Sequence, residues 1–254
     1  MNFADAGYQL SYKVAVLLRA FYDKDVPLSK TGRVSMELSN ELRALAIMAL
    51  LSLGDNRLFY QNLVRSGLVR EFYLNRLKEA GVSNDHHQAS SRFKPLLDTV
   101  AAGDLDVARR IAVLSPKEFR HGHEYMDDYC YSQILHGLIS ENSSKSSLKT
   151  YLNRFENYLE NQTNARFEIS RALIEADQAA FNDAFIELLN THEQDINSAK
   201  KRGQMEDPLI MAHRLVFIEG LAILRIAQMV ELTVESEYRF CPSISRSYDK
   251  KPSS

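Results

Sequence analysis

Residues 34–55 read VSMELSNELRALAIMALLSLGD. Leu38, Leu42, Leu45 and Ala49 fall at i, i+4, i+7 and i+11, the spacing that lines one face of a helix with apolar side chains. The run ends on Gly54, which relieves left-handed backbone strain at a helix end, and Asp55 can accept hydrogen bonds from the free N–H groups opening the next helix. The same joint recurs at Gly103-Asp104 and Ala176-Asp177, at unequal separations, so a strict repeat of fixed period is not supported. Leu148, Tyr151, Leu152, Phe155 and Leu159, and again Ala180, Phe181, Ala184, Phe185 and Leu188, repeat the helical spacing. No period-two run bounded by hairpin turns is present. The pattern predicts an all-α fold, an irregular array of antiparallel helical hairpins without a substantial sheet. Its ten helices are placed at 5–22, 34–53, 56–80, 91–102, 105–114, 124–140, 147–162, 165–175, 178–200 and 207–231.

Composition agrees. Of 254 residues, 45% are hydrophobic and 25% charged, with only 10 Gly and 6 Pro to interrupt helices. A chain this long can bury a large core unaided. The polar stretches 82–91 and 141–147 read as surface loops within one domain, residues 1–247, followed by a frayed tail at 248–254. Cys130 and Cys241 form no disulfide framework or zinc spacing, which fits a reducing compartment. The N-terminus lacks the marks of a secretory signal, and the most apolar stretch, 209–230, carries Arg214, Glu219 and Arg225, too costly for a bilayer. A cytoplasmic protein without a membrane partner is expected. With 31 basic and 33 acidic residues and no basic stripe, no nucleic-acid partner is expected.

The densest run of reactive side chains is 121–131, HGHEYMDDYCY. His121 and His123 lie two apart, so they do not share a helical face as a HExxH pair does, and a metal site drawing on Glu124, Asp127 and Asp128 is the weaker reading. The polymerase-like YMDD string has no flanking strands, and an isoprenoid-synthase reading lacks a second acidic motif. Two readings stay open. The carboxylates can serve the first turn of a helix and the aromatics its core, or Glu124, Tyr125, Asp127, Asp128 and Tyr129 can contact a protein partner or shape the surface that does. Nucleophile-elbow, Walker and dinucleotide motifs are missing, so no cofactor and no catalytic residue is expected. His86-His87 reads as a solvated pair, Lys200-Lys201-Arg202 as favourable charge at a helix C-terminus, and Glu219 as a buried carboxylate needing Arg214 or an arginine from another helix.

Two segments together, 108–139 (ARRIAVLSPKEFRHGHEYMDDYCYSQILHGLI) and 214–246 (RLVFIEGLAILRIAQMVELTVESEYRFCPSISR), resemble the immunity protein 49 family of bacterial polymorphic toxin systems, type VI effectors among them. The shared features are Ser115-Pro116, the acidic-aromatic helix start from Glu124 to Tyr131, and the segment from Tyr238 to Pro242 after a long apolar helix. The resemblance implies an intracellular antidote that binds a cognate toxin, a nuclease among the candidates, and blocks its active site without catalysis. A helical scaffold for a peptide or protein partner, and a metal-dependent all-α enzyme, are the alternatives. Oligomeric state is not legible.

Overall fold

A computed structural model of the chain describes residues 3–23 and 25–246, and the expected tail at 248–254 lies outside them. Among the described residues the structure is helical, with one isolated bridge, Tyr238 to Cys241, and no strand. α1 (Phe3–Tyr22) lies on α2 (Leu28–Leu53), which folds back along α3 (Asn56–Glu79). The short helices α4 (Lys94–Ala101) and α5 (Leu105–Leu114) pack on α3. Two further hairpins follow, α6 (Met126–Leu138) with α7 (Lys145–Leu159) and α8 (Ala165–Glu175) with α9 (Gln178–Lys201). The chain then returns, laying α10 (Pro208–Leu215) on α2 and α11 (Ile218–Met229) against α4. Every α-helix contributes to one connected apolar core that runs from Ala6 to Cys241.

The three joints form as their residues dictate. Gly54 adopts φ 63°, the Asp55 carboxylate accepts from the Leu58 N–H at 2.8 Å, and α2 turns into α3. Asp104 and Asp177 cap the N–H groups of Val107 and Ala180 in the same way. Local chemistry sets the hairpins, and the buried faces set their packing.

Two elements differ from the sequence reading by more than three residues. α2 starts at Leu28 rather than at residue 34, directly after Pro27, whose fixed φ suits a helix entry. Gly32, directly after Lys30-Thr31 inside the helix, is a contact point: a Cβ there would lie 2.6 Å from the His87 ring. The helix expected at 207–231 is two helices, because Val216 turns extended at φ −122° and ψ 119°. The cause is tertiary. The Phe217 N–H donates to the Phe240 carbonyl at 2.8 Å, the Arg214 carbonyl meets His192 Nε2 at 2.9 Å, and His192 stacks on Phe217 at 4.1 Å. The backbone groups freed by the break therefore find partners.

The polar stretch at 82–91 is tied down. The fully buried Arg70 donates to the carbonyls of His87, Gln88 and Ala89, and Tyr73 Oη donates to Asp85 Oδ1 at 2.5 Å. His87 is thus half-buried against Gly32, and only His86 of that pair is exposed.

A second buried charge pins α2, α3 and α4 together. Arg43 Nε donates to Asp98 Oδ1 at 2.6 Å and its Nη2 to the Lys94 carbonyl at 2.6 Å, while Ser66 Oγ donates to Asp98 Oδ2 at 2.5 Å. Both side chains are almost fully removed from water. Replacing Arg43 by Ala leaves the Asp98 charge without its partner, and chemical denaturation of Arg43→Ala is expected to show a loss of about 3–5 kcal/mol. The pair-deleting Arg43→Met/Asp98→Leu variant should lose markedly less.

Candidate functional site

The five residues singled out at 124–129 are divided by the fold into supports and surface. Glu124 is a support: its Oε2 accepts from Ser91 N–H at 2.9 Å and Ser90 Oγ at 3.1 Å, and its Oε1 accepts from Arg120 N–H at 3.1 Å. One carboxylate thus joins the loop before α4 to the loop before α6. Tyr129 is 2% exposed, its hydroxyl donating to the Lys117 carbonyl at 2.7 Å and its ring meeting Phe119 edge-on. It holds the 115–125 loop from beneath, and its ring is turned away from solvent. Tyr125, the N-cap residue of α6, is 73% exposed. Asp127 and Asp128 are half-buried beside it in the first turn of α6. There the helix dipole favours their charge.

Asp128 leads inward to a cluster that the run 121–131 only half revealed. Its Oδ1 accepts from Arg166 Nη1 at 3.1 Å. The same guanidinium grips Glu219 through two bonds, Nε to Oε1 and Nη2 to Oε2, each 2.7 Å. Tyr131 Oη donates to Glu219 Oε1 at 3.0 Å, and the guanidinium lies over the Phe93 and Tyr131 rings at 5.4 and 5.1 Å. Arg166 therefore pairs two carboxylates and two π faces at once. Burial pushes the Glu219 carboxyl up, but Arg166 and the Tyr131 hydroxyl outweigh it and hold the group below its ordinary range. For Asp128 burial wins, with Asp127 and Glu219 adding to it against Arg166, and its carboxyl titrates above the ordinary range.

Glu219 needed an arginine from another helix, and Arg166 supplies it. Arg214 does not: it sits 3.5 Å from Asp195. Arg166 escaped the sequence reading although it carried a signal. A cation in the first turn of a helix opposes the dipole, and such local conflict marks a residue with a distant partner.

Beside this cluster a cleft of about 480 Å³ opens, with Glu41, Arg43, Lys94, His213, Arg214 and Glu219 on its walls. A smaller depression of about 370 Å³ shares Arg166, His192, Phe217 and Glu219 with it. The charges are largely matched within the walls, Glu41 by Lys13 at 2.5 Å and Arg43 by Asp98. His213 is pushed down to about 3, first by burial and then by the Arg43, Lys94 and Arg214 cations, so it is neutral near pH 7. Burial likewise raises the thiols of Cys130 and Cys241 to about 11 and about 12, which keeps both protonated and poorly nucleophilic. The side chains of the 121–131 run diverge: His121 meets Phe119, His123 meets His86, and Glu124 faces backbone. Among the described residues no three His, Cys, Asp or Glu side chains converge on a position that could hold a metal ion. Nor is any helix among them long and apolar enough to cross a membrane.

The model of the family described as Immunity protein 49 matches residues 24–244. This chain belongs to the immunity protein 49 family. The match spans α2 through α11, taking in both the Glu124–Tyr129 surface and the Arg166–Glu219 cluster and leaving α1 outside. No curated protein and no solved structure matches the chain. Membership implies an immunity protein that binds a toxin partner.

The site's charges predict how stability follows pH. His136 and His213 titrate at about 3 in the folded chain against an ordinary 6.5, so below pH 6.5 the unfolded chain binds protons that the fold refuses. The two histidines then cost stability as the pH drops from 6.5 toward 3, the Glu219 contribution is lost as the pH falls below 4.5, and protonation of Asp128 works against these losses. Urea midpoints measured from pH 7 to pH 5 should fall, and His213→Gln should flatten that slope.

Proposed function

We propose that this immunity protein neutralises its cognate toxin by occupancy, with the surface around Tyr125, Asp127 and Asp128 seated on the toxin and Glu124 and Tyr129 holding that surface rigid. One observation carries the reading: Tyr125 stands 73% exposed on a loop fastened from both sides by the Glu124 and Tyr129 hydrogen bonds. An exposed aromatic on a pre-ordered backbone is the kind of side chain that dominates binding energy, since little rotamer and loop entropy is lost when it docks. The neighbouring Asp127 contributes negative charge. Where the toxin is a nuclease, that charge faces a channel built for phosphate, which steers association and excludes substrate.

The protein acts, in this reading, in the cytoplasm of the cell that makes the toxin, as one domain and without turnover. The protonated thiols and the internally matched carboxylates support that view, because neither offers a nucleophile or a free general base. A toxin delivered between bacteria, by type VI secretion for example, is the partner class that the family suggests.

The test uses surface substitutions that spare the interior. Asp128 is avoided, because Asp128→Lys would also disturb Arg166 and through it Glu219. Tyr125→Ala should leave the thermal midpoint nearly unchanged and Asp127→Lys should lower it modestly, by reversing a charge in the first turn of α6, yet each should weaken toxin binding by about 2 kcal/mol, roughly thirtyfold. Cells expressing the toxin should lose protection accordingly. Full protection and unchanged affinity in both folded variants would move the interface elsewhere.

A further inference from the structure

α1 buries Ala6, Leu10, Val14 and Phe21 against the body and turns the opposite face outward. That outer face carries Asp5, Tyr8, Gln9, Tyr12, Ala15, Val16 and Arg19, all exposed. Tyr8 is 82%, Tyr12 75% and Val16 52% exposed. Such a run of aromatic and apolar surface is unusual on a helix that has already satisfied its core-facing side. The patch continues past Tyr8 onto Leu53 and Leu58 at the α2–α3 joint, along a groove of about 380 Å³. The family match starts at residue 24, after this helix, so the body shared with the family does not account for the face.

The order of side chains along the face indicates what covers it. Asp5 and Arg19 lie seven residues to either side of Tyr12, and a seven-residue step returns to nearly the same helical face. Reversing the direction of the helix about Tyr12 exchanges Asp5 with Arg19 and brings Tyr8 opposite Val16. We propose that α1 pairs antiparallel with α1 of a second copy of this chain across a two-fold axis at Tyr12. An isologous contact requires a patch complementary to its own rotated image. This face meets that requirement: unlike charges at its two ends oppose each other across the axis, and the aromatic centre packs on itself. A face meant for an unrelated protein has no need of this antisymmetry. The α1 face and the Tyr125 surface share no residue, so substitutions can address dimerisation and toxin binding separately.

Sedimentation equilibrium of the full-length chain provides the test. The wild type is expected to show a reversible dimer. Asp5→Arg and Arg19→Asp should each weaken it by about tenfold or more, since each sets like charges against each other across the axis, and combining the two should restore wild-type association. Tyr12→Lys, which places two ammonium groups on the axis, should give a monomer with an unchanged thermal midpoint. A wild type that stays monomeric at about 0.5 mM, well above the range of functional affinities, would overturn the proposal. So would a dimer indifferent to Tyr12→Lys, or a double charge variant no tighter than either single one. If Tyr12→Lys abolishes toxin protection while the wild type is monomeric, the face belongs to the toxin and the proposal also fails.

Discussion

The structure turns on one guanidinium. Glu219 places a buried carboxylate in the first turn of a largely apolar helix, and an ionised carboxylate taken out of water without a partner is among the most costly things a fold can contain. Arg166 answers it with two parallel 2.7 Å bonds, reached across 53 residues of sequence. The gain is geometric more than energetic, since a buried ion pair seldom exceeds well-packed apolar residues in net stability. A forked donor over two rings and between two carboxylates allows one arrangement of α6, α8 and α11. The break at Val216 makes that arrangement reachable, because it starts α11 at Ile218 and puts Glu219 in its first turn.

From that arrangement the exposed surface follows. Asp128, on the third arm of Arg166, fixes the N-terminal turn of α6, and Tyr125 occupies the position just before that turn. Glu124 and Tyr129 then fasten the preceding loop to the body on either side. The acidic-aromatic run from Glu124 to Tyr129 is therefore divided between inward-bonded side chains and the exposed Tyr125. This division matters for mutagenesis, because charge reversal at Asp128 breaks a bond to Arg166, whereas Asp127 reaches that network only through its charge on Asp128.

Much of the fold was legible because its rules are local. Leu38, Leu42, Leu45 and Ala49 announce an amphipathic helix, and Gly54-Asp55 announces its end and the next beginning; both are satisfied within a few residues. What stayed hidden depends on distant partners. Gly32 reads as a helix breaker until His87 packs on it, and the turn at Val216 exists because Phe240 and His192 take up the freed backbone groups. The candidate site was legible in the same proportion. Composition and spacing located the dense run at 121–131, but burial separates Tyr129 from Tyr125, and no spacing rule joins Arg166 to Glu219.

An immunity protein that works by occupancy is consumed one for one. Titrating a fixed amount of active toxin with the purified protein tests this most directly. Toxin activity should fall in a straight line and reach its floor at one chain per toxin. Inactivation continuing at a small fraction of an equivalent would indicate turnover, and unchanged activity beyond several equivalents would deny neutralisation by binding; either result contradicts the account.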